Sequence, residues 1–147
     1  MFKHLLIPND GSELATSAIT AGIGLAKALG AKVTAYHAIE EPDVQGVGDE
    51  AFVATRSIKA FEDRLRERGE RYLAPVRTAA AAAGVPCEIL IDNPATPAEG
   101  IVAAAARAGC DAIFIASRGR SDVASLLLGS VTHDVLARAR IPVVVFR

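Results

Sequence analysis

Apolar positions fall into two alternating kinds of segment: short unbroken runs, and longer stretches where small and apolar residues recur every three or four positions. Unbroken runs suit strands buried on both faces, whereas a sheet with one wet face would alternate apolar and polar residues. The runs cover residues 4–8, 32–39, 87–91, 111–116 and 141–146, and they predict five strands. Between the first two, Leu14, Ala18, Ala21, Leu25 and Leu29 form a helical stripe over residues 12–29 that stops at Gly30, where a C-terminal cap belongs. From about residue 51 to 83, Phe61, Leu65, Tyr72, Leu73 and Val76 share one side of a helix, opposite Glu62, Arg66, Glu67 and Arg71. Those charges read as a solvated face with i to i+4 pairs. Pro75 lacks an N–H and crowds the preceding turn, so it is expected to kink or break that helix. Residues 96–107, closed by Gly109, and residues 130–138 supply two more helices. The alternation predicts a single α/β domain over residues 1–147, a doubly wound parallel sheet with right-handed crossovers.

Composition narrows the function. At 147 residues the chain can bury a core without disulfide or metal. The 5% aromatic content, with no Trp, offers no stacking platform for single-stranded nucleic acid. A net charge of -1 lacks the excess that a phosphate backbone demands, so no nucleic-acid partner is expected. The balance is uneven: Arg118, Arg120, Arg138, Arg140 and Arg147 face only Asp122 and Asp134 in the last stretch, which suits a small anion there. No apolar run approaches the roughly 18 residues of a membrane span, and the start lacks a secretory pattern, so a cytoplasmic protein without membrane association is expected. Cys87 and Cys110 stand alone, without metal-ligand or redox spacing, and read as structural thiols.

In an open parallel sheet, ligands bind beyond the carboxyl ends of the strands. Residues 8–12, 37–41 and 116–120 qualify. No Walker-type GxxxxGK[ST] is present, and neither Gly22-Ile23-Gly24 nor Gly46-Val47-Gly48 is followed by the third glycine of a dinucleotide fingerprint. What does occur is Ala116-Ser117-Arg118-Gly119, nine residues, then Gly129-Ser130, with Ser130 at a predicted helix N-cap. Such a loop can aim several N–H groups and a hydroxyl at one anion. Asp10-Gly11-Ser12 also fits a plain turn and helix N-cap. His37, without a carboxylate or second His at ligand spacing, is expected to be a packing residue, and His4 and His133 offer less. No Glu or Gln in these loops is expected to position water, which sets fast hydrolysis aside.

The opening HLLIPNDGSELATSAI, the long second crossover, DAIFIASRGR and LLLGSVTHDVLARARIPVVVFR together resemble the universal stress protein family, whose signature G-x2-G-x9-G-[ST] precedes the last helix and strand. The resemblance implies a Rossmann-like fold, a five-stranded parallel sheet in order 3-2-1-4-5 with helices on both faces. It also implies binding of ATP or another adenine nucleotide, with or without Mg2+. Carried over by position, Asp10 would meet the ribose or the phosphate-bound cation, with Pro8 and Asn9 beside it, and Ala38 would touch adenine through its backbone. Ala116, Ser117, Arg118, Gly119, Arg120, Gly129, Ser130, Val131 and Thr132 would surround the phosphates. Ala116 departs from the signature glycine; were φ > 0 needed there, its Cβ would cost on the order of 1 kcal/mol, and were a phosphate to approach the backbone there, its Cβ would block the contact. The implied order keeps two strands between the cysteines, too far for a disulfide. It also leaves residues 141–146 on a poorly defended edge, the expected surface of a homodimer. Three functions follow: a dimeric nucleotide-responsive signalling or stress-response module, a slow ATP hydrolase, or a nucleotide-free structural or chaperone-like dimer.

Overall fold

The computed structural model describes residues 1–40, 54–119 and 128–147, the side chains of 54–57 apart. Its elements run β1 (His4–Pro8), α1 (Glu13–Leu29), β2 (Lys32–Ala38), α2 (Ala54–Ala83), β3 (Cys87–Asp92), α3 (Pro97–Ala108), β4 (Ala112–Ala116), α4 (Ser130–Arg138) and β5 (Val143–Phe146). The five strands form one parallel sheet in the order β3-β2-β1-β4-β5, as expected. The polar stretch from residue 41 to 49, with Gly46 and Gly48, lies outside the described residues.

Continuous apolar runs serve two cores at once, because successive side chains of a strand point to opposite faces. In β1, Leu5 and Ile7 enter the core shared with α1 and α2, while Leu6 enters the one shared with α3 and α4. In β4, Ala112, Phe114 and Ala116 take the first side, and Ile113 and Ile115 the second. The helix ends follow local chemistry: Ser12 and Thr96 accept N–H bonds as N-caps of α1 and α3, and Gly30 and Gly109 close their C-termini.

One expectation is narrowed and one corrected. Of the kink or break expected at Pro75, the break does not occur: α2 is continuous there, since one missing N–H is a local loss and the apolar face, with Leu65, Leu73, Val76 and Ala80 buried, holds both sides against the sheet. At α4 the N-cap is Gly129, with no side-chain cap bond, and Ser130 is the first helical residue. Helix α2 is also far longer than the sheet: its 30 residues span about 45 Å, while the 6 of β3 rise about 20 Å. Gly69 packs against His37 and Ile91 near the carboxyl ends of β2 and β3, so the part of the helix before the buried Leu65 extends past the sheet on that side. Ile58 and Phe61 there are 51% and 40% exposed. No helix among the described residues is long and apolar enough to cross a membrane. Cys87 and Cys110 are both free thiols.

Candidate functional site

Beyond the carboxyl ends of β1, β2 and β4 the chain leaves a cleft of about 400 Å3, lined by residues from those strand ends and from the starts of α3 and α4. Its geometry begins at Asn9, which is buried and fully engaged. The Asn9 N–H donates to the Tyr36 carbonyl at 2.9 Å, and its carbonyl lies 2.9 Å from His37 Nδ1. Its side-chain Nδ2 donates to the Tyr72 carbonyl at 2.7 Å and its Oδ1 accepts the Gly11 N–H at 3.0 Å. Asn9 thus ties β1 to β2 and α2, and it fixes where the next residue points.

Asp10 is that residue. One carboxylate oxygen accepts the Ser12 N–H at 2.9 Å, which presents the acid at the cleft wall just before α1 begins. The turn needs Gly11, whose φ is +80° and whose α-carbon lies so near the Tyr72 ring that a Cβ would overlap it. The plain reading of Asp10-Gly11-Ser12 as turn and N-cap therefore holds, and it is this turn that sets Asp10 at the cleft.

On the opposite side, β4 ends at Ala116, paired in register with Phe146 and therefore extended strand. The position demands no left-handed backbone, so alanine in place of the signature glycine carries no conformational cost. The Ala116 carbonyl accepts the Thr132 hydroxyl at 2.8 Å, binding α4 to the end of β4. The Ser117 carbonyl accepts the Gly129 N–H at 2.7 Å, which brings the two ends of the following loop together.

Of the residues singled out from the sequence, Pro8, Asn9, Asp10, Ala38, Ala116, Arg118, Gly119, Val131 and Thr132 line the cleft. Ser117, Gly129 and Ser130 do not: Ser117 and Gly129 are buried, and Ser130 is exposed at the start of α4. Arg120 lies outside the described residues. Sequence reasoning missed Tyr36, Pro97, Ile101 and Ile115, because apolar residues on strands and helices look alike whether they fill a core or floor a cleft. His37 does pack, edge-on to Tyr72 at 5.2 Å between ring centroids, yet it also lines the cleft. Glu40, from the loop after β2, also lines the cleft.

The cleft is chemically two-sided. Tyr36, Ala38, Pro97 and Ile101 give an apolar wall near β2 and α3, while Arg118, Gly119 and Thr132 give a polar one near β4 and α4, with Asp10 between them. Burial, reinforced by the Asp92 carboxylate, pushes the Tyr36 phenol far above its ordinary range, so it stays a neutral donor at any physiological pH. Among the described residues no group of three His, Cys, Asp or Glu could hold a metal ion. Any cation at Asp10 would therefore need further ligands from a bound molecule.

The family model of the universal stress proteins matches residues 1–147. A universal stress protein of Thermus aquaticus is 37% identical over 148 residues, covering all of both chains. A solved structure of a universal stress protein from Methanocaldococcus jannaschii superposes with a TM-score of 0.79 at 26% identity, covering 99% of this chain and 95% of that one. A universal stress protein solved in complex with cAMP superposes at 0.71 with 21% identity, covering 99% and 97%.

Proposed function

We propose, for a chain that belongs to the universal stress protein family along its whole length, that it is a single-domain cytoplasmic module binding an adenine nucleotide in the cleft beyond β1, β2 and β4. The observation that carries this reading is the two-sided cleft, whose volume of about 400 Å3 falls within the usual range of ligand sites. An apolar wall of Tyr36, Ala38, Pro97 and Ile101 suits a flat base, and the Ala38 backbone offers hydrogen bonds at its edge. Arg118, Gly119 and Thr132 suit phosphates, and Asp10 suits ribose hydroxyls or a phosphate-bound Mg2+. The complex of a similar fold with cAMP supports the class of ligand. For ATP, the phosphates would supply the remaining ligands of Mg2+.

Binding without fast turnover makes the protein a responsive module, with the loop from Gly119 to Gly129 as the part that a bound phosphate would alter. Glu40 at the rim, together with Asp10, favours slow ATP hydrolysis as a second reading. The exposed edge of β5, with Val143 to Phe146 all half-buried and Leu136 43% exposed nearby in sequence, supports a homodimer through residues 141–146. Light scattering at tens of micromolar should then give twice 15.3 kDa.

ATP with Mg2+ at about 100 times its dissociation constant should add roughly 2.7 kcal/mol to native stability. That is a rise of about 5–10 °C in Tm for a chain of this size. Asp10→Ala should abolish the rise while leaving the unliganded protein folded. A wild-type Tm unmoved by millimolar ATP, with or without Mg2+, would rule out the nucleotide reading in favour of a nucleotide-free dimer.

A further inference from the structure

Tyr36 is a fully buried phenol in the middle of β2, on the sheet face that carries α3. A phenylalanine would fill such a site without an O–H that needs a partner, so the hydroxyl calls for its own account. Its Oη donates to Asp92 Oδ1 at 2.5 Å, at the end of β3. The second Asp92 oxygen receives Arg107, from the last turn of α3. Near its start, α3 carries Gly100, whose α-carbon faces the same phenol: a Cβ there would collide with the Tyr36 hydroxyl and with Pro94. One side chain thus meets α3 twice, directly at Gly100 and through Asp92 at Arg107.

The energy of this arrangement is modest where it is exposed. The Arg107 side chain is 54% accessible and that of Asp92 27%, and an ion pair so wetted contributes little to stability. Its geometric effect is larger. Pro97 and Ile101 flank Gly100 on α3 and, with Tyr36, form the apolar wall of the cleft. The distance of that wall from β2 is therefore set by how closely α3 lies on the phenol.

We infer that Tyr36, held by Asp92 and Arg107, is a positioning residue that sets the width of the apolar half of the cleft and so its fit to a planar base. This rests on the nucleotide reading for the identity of the ligand, but its structural half stands apart from it. Neither Tyr36 nor Asp92 belongs to the phosphate side, so the inference separates the two halves of the ligand.

The test compares wild type with Tyr36→Phe, Asp92→Leu and Asp92→Asn, the last of which keeps an acceptor for the phenol. Calorimetric titrations with adenosine, ATP and inorganic tripolyphosphate are paired with amide hydrogen exchange along α3 in the unliganded proteins. Tyr36→Phe and Asp92→Leu should weaken adenosine and ATP about three- to tenfold, with tripolyphosphate held within about twofold. Exchange from Gly100 to Ala105 should quicken, and Asp92→Asn should restore most of both effects. Adenosine affinity unchanged in Tyr36→Phe, or equal losses for adenosine and tripolyphosphate, would overturn the inference. A wild type that binds none of the three probes would refute the nucleotide reading instead; unchanged exchange in α3 would then overturn the positioning role by itself.

Discussion

In Gly11→Ala a methyl group would enter a position where the backbone φ is +80° and the Tyr72 ring already stands. Two costs follow. A left-handed backbone disfavours any residue with a Cβ by about 1–2 kcal/mol. The added carbon would also lie 2.6 Å and 2.7 Å from two further ring carbons of Tyr72, inside any real contact, so the ring or the turn must move. The ring has little room, being edge-on to His37, and the Tyr72 carbonyl holds Asn9. Overpacking of this kind costs about 1–3 kcal/mol. The sum, about 2–5 kcal/mol, should lower Tm by about 5–15 °C in a domain of this length. Thermal melts of wild type, Gly11→Ala, Tyr72→Leu and the double variant separate the two costs. In the Tyr72→Leu background the clash is gone, and Gly11→Ala should cost only its backbone share, about 1–2 kcal/mol, leaving a coupling of about 1–3 kcal/mol. If Gly11→Ala costs the same in both backgrounds, the ring is not what requires glycine and the reasoning fails.

Thr132→Val removes the hydroxyl that α4 donates to the Ala116 carbonyl, and should cost about 1–3 kcal/mol in urea unfolding without a change in m; no loss of stability would show that the bond is dispensable. His4 is buried with Nε2 2.8 Å from Thr34 Oγ1, and burial first, then the charge of Lys32, holds its pKa below the ordinary value. For a base so depressed, the unfolded chain protonates first, so stability is full above about pH 6.5 and falls as pH drops towards the folded-state value. The stability advantage of wild type over His4→Gln should shrink as pH falls below about 6.5, and an advantage that does not change with acidification would refute the assignment. Burial pushes the Cys110 thiol up to about 11 and raises that of Cys87 too. Native Cys110 should therefore resist alkylation at pH 8, and both thiols should titrate after unfolding without reductant; an intramolecular bridge would contradict a sheet that keeps β2 and β1 between them.

The sheet was legible because double burial leaves a one-dimensional trace: Leu5, Leu6 and Ile7 are consecutive, and each has a core to enter. Asp10 and Arg118 were legible for the same reason, since turns at strand ends carry their chemistry in adjacent residues. At Pro75 sequence leaves a kink and a break both open, because the local cost is visible there while the packing that keeps α2 continuous is not. Ser130 resembled a cap by residue type, yet Gly129 takes that role with extended backbone alone. Tyr36 was the least legible: its partners Asp92 and Arg107 lie 56 and 71 positions away, and nothing local distinguishes it from Val33 or Ala35. Long-range polar bonds of this sort have no period and no motif, so only the folded arrangement reveals them.

The overhang of α2 has a mechanical meaning. The helix is seated on the sheet at Gly69 and at Tyr72, whose ring meets the cleft-lining His37, is still buried at Leu65, and extends 11 residues further to Ala54, about 16 Å. A rigid rod on such a seat is a lever with its fulcrum next to the cleft. A tilt of about 5° at Leu65 would carry the far end by about 1.5 Å. Ile58 and Phe61 ride on that arm, so a small adjustment of the seat would be amplified where these two apolar side chains are exposed.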